Sequence, residues 1–201
     1  MKIILIIMII LLTACSPQNK TNDNSENKTT NNVRGNEIKH PIIFESEKAL
    51  GEAVTDIIDR GENRVSNIVM ACSKISGKKL MPDEEFSFNN LTGKKTEKNG
   101  YKYAPVIVDG EKSYGIGGGV CQVSSTIYMA AVNSGLQITE HYNHSEPVAY
   151  APDGMDATVV YGYKDFKFRN NTDKLLYIYT WVEQEKVFSK IIQKSIDIQS
   201  Y

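Results

Sequence analysis

Three consecutive glycines, Gly117-Gly118-Gly119, run straight into Val120-Cys121-Gln122, and from there apolar and small residues recur at helical spacing. Val120, Ser124, Ile127, Ala131 and Ser134 share one face, with Val123 and Ala130 beside it, and Ser134-Gly135 is a helix stop. One central helix is thereby set among segments of other kinds. Upstream, Glu45 to Lys79 reads as mostly helical, with Ile68, Ala71, Cys72 and Ile75 on one face and an end at Ser76-Gly77. Met81 to Glu84 is a turn, Glu85 to Phe88 alternates like a strand, and Asn89 to Gly100 is a polar loop. Tyr103–Val108 and Glu111–Ile116 predict a hairpin around Asp109-Gly110. Downstream, Gln137 to His141 is extended, and Pro147–Tyr150 and Ala157–Tyr163 are β-rich around the turn Pro152-Asp153-Gly154. Phe166 to Arg169 alternates, Asn170 to Asp173 turns, Leu175 to Val182 is a last long strand, and the chain from about Gln184 is weakly patterned. The expected fold is α+β: a mostly antiparallel sheet around a central helix that carries Cys121 near its N-terminus.

The N-terminal 39 residues are of different character. Lys2 precedes an apolar run from Ile3 to Leu12, about half the length a membrane span needs. A charged start, a short apolar run and a small residue before the cut make a secretory signal over 1–14. Leu12-Thr13-Ala14-Cys15 looks like a bacterial lipobox, which implies lipidation of Cys15 and a membrane-anchored, outward-facing protein. Residues 15–39 read as a tether. Between Ser16 and Ile38, seven residues are Asn and Val33 is the only apolar one before Ile38. Such composition cannot bury enough apolar surface to offset ordering entropy. A chain of this length spans roughly 25 Å, enough to let a domain over 40–201 search a fixed substrate such as the cell wall. With 23 basic and 24 acidic side chains, the net charge of -1 excludes a basic nucleic-acid footprint.

Cys121 is the residue best placed for chemistry. A thiol on the first turn of a helix ionises more readily, because unpaired N–H groups and the helix dipole favour negative charge there. The glycines let a substrate approach the backbone and leave N–H groups free to stabilise an oxyanion. A thiol nucleophile needs a base. His40 borders the tether, whereas His141 and His144 follow the central helix. Three residues apart on a strand, their rings would point to opposite faces, so that only one meets Cys121. Glu140, Asp153 and Asp156 are candidates to orient the base, and spacing does not choose among them. Cys72, Cys121, His141 and His144 lack the close pairing of a structural zinc site, and Cys72 on an apolar helix face reads as core, though a Cys72–Cys121 disulfide is open outside the membrane. No phosphate loop, dinucleotide fingerprint or acidic metal cluster is present, so no cofactor is expected. Tyr101, Tyr103, Tyr161, Tyr163 and Trp181 are candidates for a glycan groove or for core packing.

Gly117-Gly118-Gly119-Val120-Cys121-Gln122-Val123-Ser124-Ser125-Thr126 with Tyr128 resembles the signature of the VanW domain family. His144-Ser145, Pro147-Val148-Ala149-Tyr150, Gly154, Asp156-Ala157-Thr158-Val159 and Phe168-Arg169-Asn170-Asn171-Thr172 continue it in order. Pro82, Phe86-Ser87-Phe88-Asn89, Asn99-Gly100-Tyr101 and Ala104-Pro105-Val106-Ile107 extend it upstream. The likeness covers about residues 60–185. The family tends to carry Arg in place of His141 and of Met155, which favours His144 as the base. The resemblance implies a cysteine L,D-transpeptidase acting on peptidoglycan stem peptides. Cys121 would be the nucleophile and His144 the base, with Gly118, Gly119, Gln122, Ser124, Asp156 and Arg169 as candidates for substrate or oxyanion contacts. Two other readings stand beside it: a thiol peptidase on the same stems, and a non-catalytic wall-binding or antibiotic-response module. Partner proteins and oligomeric state are not readable from the sequence.

Overall fold

The computed structural model describes residues 42–108 and 111–199; the signal, the tether with Cys15, His40 and the Asp109-Gly110 turn lie outside that range. In chain order the elements are β1 (Ile42–Asp56), α1 (Glu62–Ile75), β2 (Lys78–Leu80), β3 (Glu85–Ser87), α2 (Phe88–Thr92), β4 (Tyr103–Val108), β5 (Glu111–Ile116), α3 (Val120–Asn133), β6 (Gln137–Glu140), β7 (Lys167–Arg169), β8 (Leu175–Glu183) and β9 (Lys186–Gln199). A four-stranded sheet has the order β1-β9-β8-β2, a three-stranded sheet the order β3-β7-β6, and β4 and β5 form a hairpin. Every pairing is antiparallel. The fold is α+β, as expected from the order of segments. No helix among the described residues is long and apolar enough to cross a membrane.

Helix α3 packs against β1, β9, α1 and β6. Its apolar side chains Val120, Val123, Ile127, Ala130 and Ala131 are buried, and so are Gln122, Ser124, Ser125 and Thr126. A helix enclosed on nearly all sides must pair its polar groups within the protein, and those pairings build the site below. Around it, Ile68, Cys72 and Ile75 of α1, Phe86, Phe88, Phe166, Phe168 and the inward side of β8 and β9 complete the core.

Four expectations are corrected. Residues 42–56 are a strand, although Glu47, Lys48, Ala49 and Leu50 favour a helix. Local propensity is a weak preference; here it yields to a register that pairs Ile42 with Gln199 and Asp56 with Lys186. Gly51 belongs to that arrangement: a Cβ there would stand 2.6 Å from the backbone N of Ser134, where β1 crosses the end of α3. The stretch from Gln184, weakly patterned in sequence, leads into the fourteen-residue β9. Its turn carries Gln184 and Glu185 at φ 47° and 58°, the left-handed pair of a two-residue hairpin without the usual Asn or Gly. Residues 88–92 and 97–99 are a short helix and a 3-10 turn, each started by a side-chain cap from Ser87 or Thr96. Finally, 157–163 forms no ladder beyond the single bridge Val160–Lys164; side chains of α3 take the backbone groups of Ala157 and the Val159 carbonyl.

Candidate active site

The glycine turn is held from three sides. Asn67 of α1, fully buried, donates through Nδ2 to the carbonyls of Lys102 (2.9 Å) and Gly118 (3.0 Å), and its Oδ1 accepts from the Lys102 N–H (2.7 Å). A Cβ on Gly118 would fall 2.2 Å from the Pro105 carbonyl oxygen. Gly119, the N-cap of α3, has φ +100° and leaves no room for a Cβ, which would stand 2.8 Å from Arg64 Cγ. Close backbone approach therefore explains these glycines directly, and it fixes where α3 begins. Cys121 sits on the first turn. Among the described residues its N–H makes no backbone hydrogen bond, as a first-turn amide is expected to.

The Cys121 sulfur lies 3.9 Å from Thr158 Oγ1 and 3.8 Å from the Val159 carbonyl, with the His144 imidazole close enough for its charge to act on the thiol. His144 Nδ1 is 2.5 Å from Asp156 Oδ2. That carboxylate also accepts from the His144 backbone N–H (2.7 Å) and from Asn143 Nδ2 (2.9 Å). A carboxylate can only accept, so Nδ1 carries a proton and Nε2 is left for the thiol. Cys121, His144 and Asp156 thus follow one another as thiol, imidazole and carboxylate, the order that a nucleophile, its base and an orienting group would need. Glu140 is occupied elsewhere, with Lys167 Nζ and the Asp165 N–H.

Helix α3 also grips the segment that carries Asp156. Ser124 Oγ donates to the Ala157 carbonyl at 2.6 Å, and Ser125 Oγ accepts from the Ala157 N–H at 2.8 Å while donating to the Cys121 carbonyl at 2.7 Å. One turn on, Tyr128 stacks on the His141 ring (4.1 Å, 13°). His141 Nε2 donates to the Asp156 carbonyl at 2.6 Å. The two histidines therefore do not point to opposite faces: β6 ends at Glu140, the chain turns, and both rings converge on Asp156. Of the two, His144 is the one whose charge acts on the thiol.

Burial disfavours the Cys121 thiolate, but the hydrogen bond and charge of His144, helped by Val159 and Thr158, bring the thiol below its ordinary pKa. Burial acts on His144 in the opposite sense to Cys121 and Asp156, and these two win, raising its pKa. Asp156 is pushed up by burial and further down by His144 and Asn143, a net decrease. All three directions favour the thiolate–imidazolium pair.

Other expected contacts lie elsewhere. Gln122 is 1% exposed, with its amide on Arg64, Thr55 and the Asp56 carbonyl, so it forms the wall of the site and does not face a substrate. Ser124 is fully buried in the grip on Ala157. Gly118 is buried against β4. Arg169, on the middle strand β7, bonds the Asp83 carbonyl and pairs with Glu85 of β3. Cys72 and Cys121 are both free thiols; Cys72 is buried beside Thr180, and burial raises its pKa to about 11. Tyr101 is buried, whereas Tyr103, Tyr161, Tyr163 and Trp181 are exposed. Sequence reading missed Arg64, Lys95 and Tyr150, all close enough to Cys121 for its charge to act on them. Arg64 was legible in principle, as a charge four residues before Ile68 on the buried face of α1. Burial lowers the Lys95 pKa to about 8; its amine donates to Asn89 Oδ1 (2.8 Å) and Thr92 Oγ1 (3.1 Å). Nothing in the pattern of the sequence marks it.

Residues 63–192 match the family model described as "VanW like protein". The chain is 44% identical over 133 residues to the uncharacterized protein YoaR of Bacillus subtilis, covering 66% of this chain and 44% of that one. It is 30% identical over 157 residues to the vancomycin B-type resistance protein VanW of Enterococcus faecalis, covering 75% of this chain and 57% of that one. The chain spans about half the length of these relatives. No solved structure matches significantly. The matched stretch runs from the first turn of α1 into β9 and takes in the glycine turn, the thiol, both histidines and Asp156, and on this ground the chain belongs to the VanW-like family.

Proposed function

We propose that the domain is a cysteine acyl-transferase of the cell wall, an L,D-transpeptidase that forms 3-3 cross-links between peptidoglycan stems. The observation that carries this reading is the Cys121–His144–Asp156 line, with the thiol lowered and the imidazole raised. The thiolate attacks the carbonyl carbon of the third stem residue. His144 Nε2 gives its proton to the leaving amine, the amide C–N bond breaks, and the terminal D-amino acid departs. The side-chain amine of a neighbouring stem then attacks the thioester. His144 takes the proton from that amine, a new amide forms and the thiolate is restored. Of the oxyanion candidates, backbone N–H groups at Gly119 and Cys121 fit better than the Gln122 or Ser124 side chains, which are already bonded.

The wall as the place of action draws support from the relative named for vancomycin resistance and from the lipobox-like start. In this proposal residues 1–14 are removed, Cys15 is lipidated, 15–39 tether the domain over 40–201, and the protein faces the wall from the outer side of the membrane. The test is intact-protein mass spectrometry after incubation with a tetrapeptide stem, wild type beside Cys121→Ala, with the products analysed. A thioester on Cys121 and 3-3 dimers are expected. Trimmed stems without dimers would mean a thiol peptidase, and no adduct on a folded, reduced protein would mean a binding module.

A further inference from the structure

Arg64 is 9% exposed, on the face of α1 that lies beneath the glycine turn. Its guanidinium donates to two neutral acceptors, the Asp59 carbonyl (3.1 Å) and Gln122 Oε1 (2.9 Å). Gln122 is locked facing it, since its Nε2 donates to Thr55 Oγ1 (3.0 Å) and to the Asp56 carbonyl (2.9 Å). Among the described residues no carboxylate comes within the 4.0 Å of an ion pair with it; the Asp59 carboxylate accepts from the Gly61 N–H instead. A buried charge is costly unless a counter-ion meets it, and here burial outweighs the more distant charges of Asp59 and Cys121. Five N–H donors in a rigid fork, two of them used, fit a carboxylate. The Cys121 thiolate does not fill this role, because its charge is already met by that of His144.

We infer that Arg64 is the anchor for a carboxylate of the substrate, the free α-carboxylate of the terminal residue that leaves. This rests on the proposed acyl transfer. In such a stem the carboxylate is attached to the Cα next to the scissile nitrogen, so it must lie close to the nucleophile. The stem of Arg64 fills the space a Cβ on Gly119 would need, two residues before Cys121, and the thiol is close enough for its charge to act on the guanidinium. Lys95 is a further cation near the thiol besides His144, and its amine is already held by Asn89 and Thr92.

The test is equilibrium binding to the Cys121→Ala protein, which needs no chemistry. An N-acetyl tetrapeptide stem with a free terminal carboxylate is compared with the same stem as its C-terminal amide. The carboxylate form is expected to bind about ten-fold more tightly, the scale of one charge-assisted bidentate contact. Arg64→Gln should erase the preference, and Arg64→Lys should restore part of it. Equal binding of the two stems, or no binding of either, overturns the inference without any Arg64 variant having to fold. A preference that survives Arg64→Gln and disappears in Lys95→Met overturns it in favour of Lys95. A clear preference in Cys121→Ala, with no thioester in the protein that keeps Cys121, leaves the anchor standing and removes the transpeptidase.

Discussion

Replacing Asp156 with Asn keeps the size of the side chain and removes its charge. Asp156 is 6% exposed, and its carboxylate accepts three hydrogen bonds, from the His144 backbone N–H, from His144 Nδ1 and from Asn143 Nδ2. If the Asn oxygen faces His144, its amide NH2 confronts the Asn143 NH2, and one bond is lost to two opposed donors. The bond to Nδ1 survives in neutral form. A charge-assisted bond is worth roughly 1.5–3 kcal/mol, about twice a neutral one, so the imidazolium should lose about 1–2 kcal/mol of support. At about 1.4 kcal/mol per pKa unit, the His144 pKa falls by about one unit. The thiolate then loses part of its partner, so the Cys121 pKa rises. The assay is alkylation of Cys121 by iodoacetamide across pH, read at the Cys121 peptide by mass spectrometry so that Cys72 and Cys15 do not intrude. The midpoint of the rate profile is expected to move up by about one pH unit, with about ten-fold slower alkylation at pH values below the wild-type midpoint. An unmoved midpoint in a folded variant would refute the claim that Asp156 acts on the thiol through His144.

Cys121→Ser removes the two contributions of Cys121 that raise the His144 pKa, so the His144 ring proton followed by NMR should titrate at lower pH than in wild type. Because the His144 pKa is raised in the folded protein, its stabilisation is complete below its unfolded value of about 6.5 and is lost as pH rises through the folded value; urea unfolding above and below neutral pH should show this decline shrinking in Cys121→Ser. Ser125→Ala leaves the Ala157 N–H without its acceptor and should cost about 1–3 kcal/mol in urea unfolding, with the alkylation midpoint moving in the same direction as in Asp156→Asn. Gly118→Ala drives a Cβ to 2.2 Å from the Pro105 carbonyl oxygen and should cost about 3 kcal/mol or more. Gly154→Ala, at φ +75° with nothing within 4 Å, should cost only about 1–2 kcal/mol; similar melting temperatures for the two glycine variants would contradict the packing account.

The central helix, its Gly start and stop, the α1 face Ile68-Ala71-Cys72-Ile75 and the β4–β5 pair were legible because each announces itself within a few residues. A helix period, a glycine end or a short alternating run needs no distant partner to be recognised. What escaped was non-local. β1 contains good helix formers and is a strand because β9 lies beside it, while the β8–β9 turn uses Gln184 and Glu185 where Asn and Gly would have advertised a hairpin. Segment 157–163 has strand composition, yet Ser124 and Ser125 take the backbone groups of Ala157, Cys121 meets the Val159 carbonyl, and Thr158 donates to the Tyr142 carbonyl.

The site divides in the same way. That Cys121 begins a helix after a glycine turn follows from the residues themselves, since only glycines fit between Pro105, Lys95 and Arg64, and three in a row are visible to any reader. Which acid orients the base does not follow from them: Glu140, Asp153 and Asp156 are all near His144 in the chain. Tertiary structure chose Asp156, because α3 holds Ala157 by two serine hydroxyls and holds the Asp156 carbonyl through the His141 ring on Tyr128. The uncompensated charge of Arg64 beneath the same turn was invisible for a related reason. A sequence shows that an arginine is present, whereas the lack of a counter-ion is a property of everything folded around it.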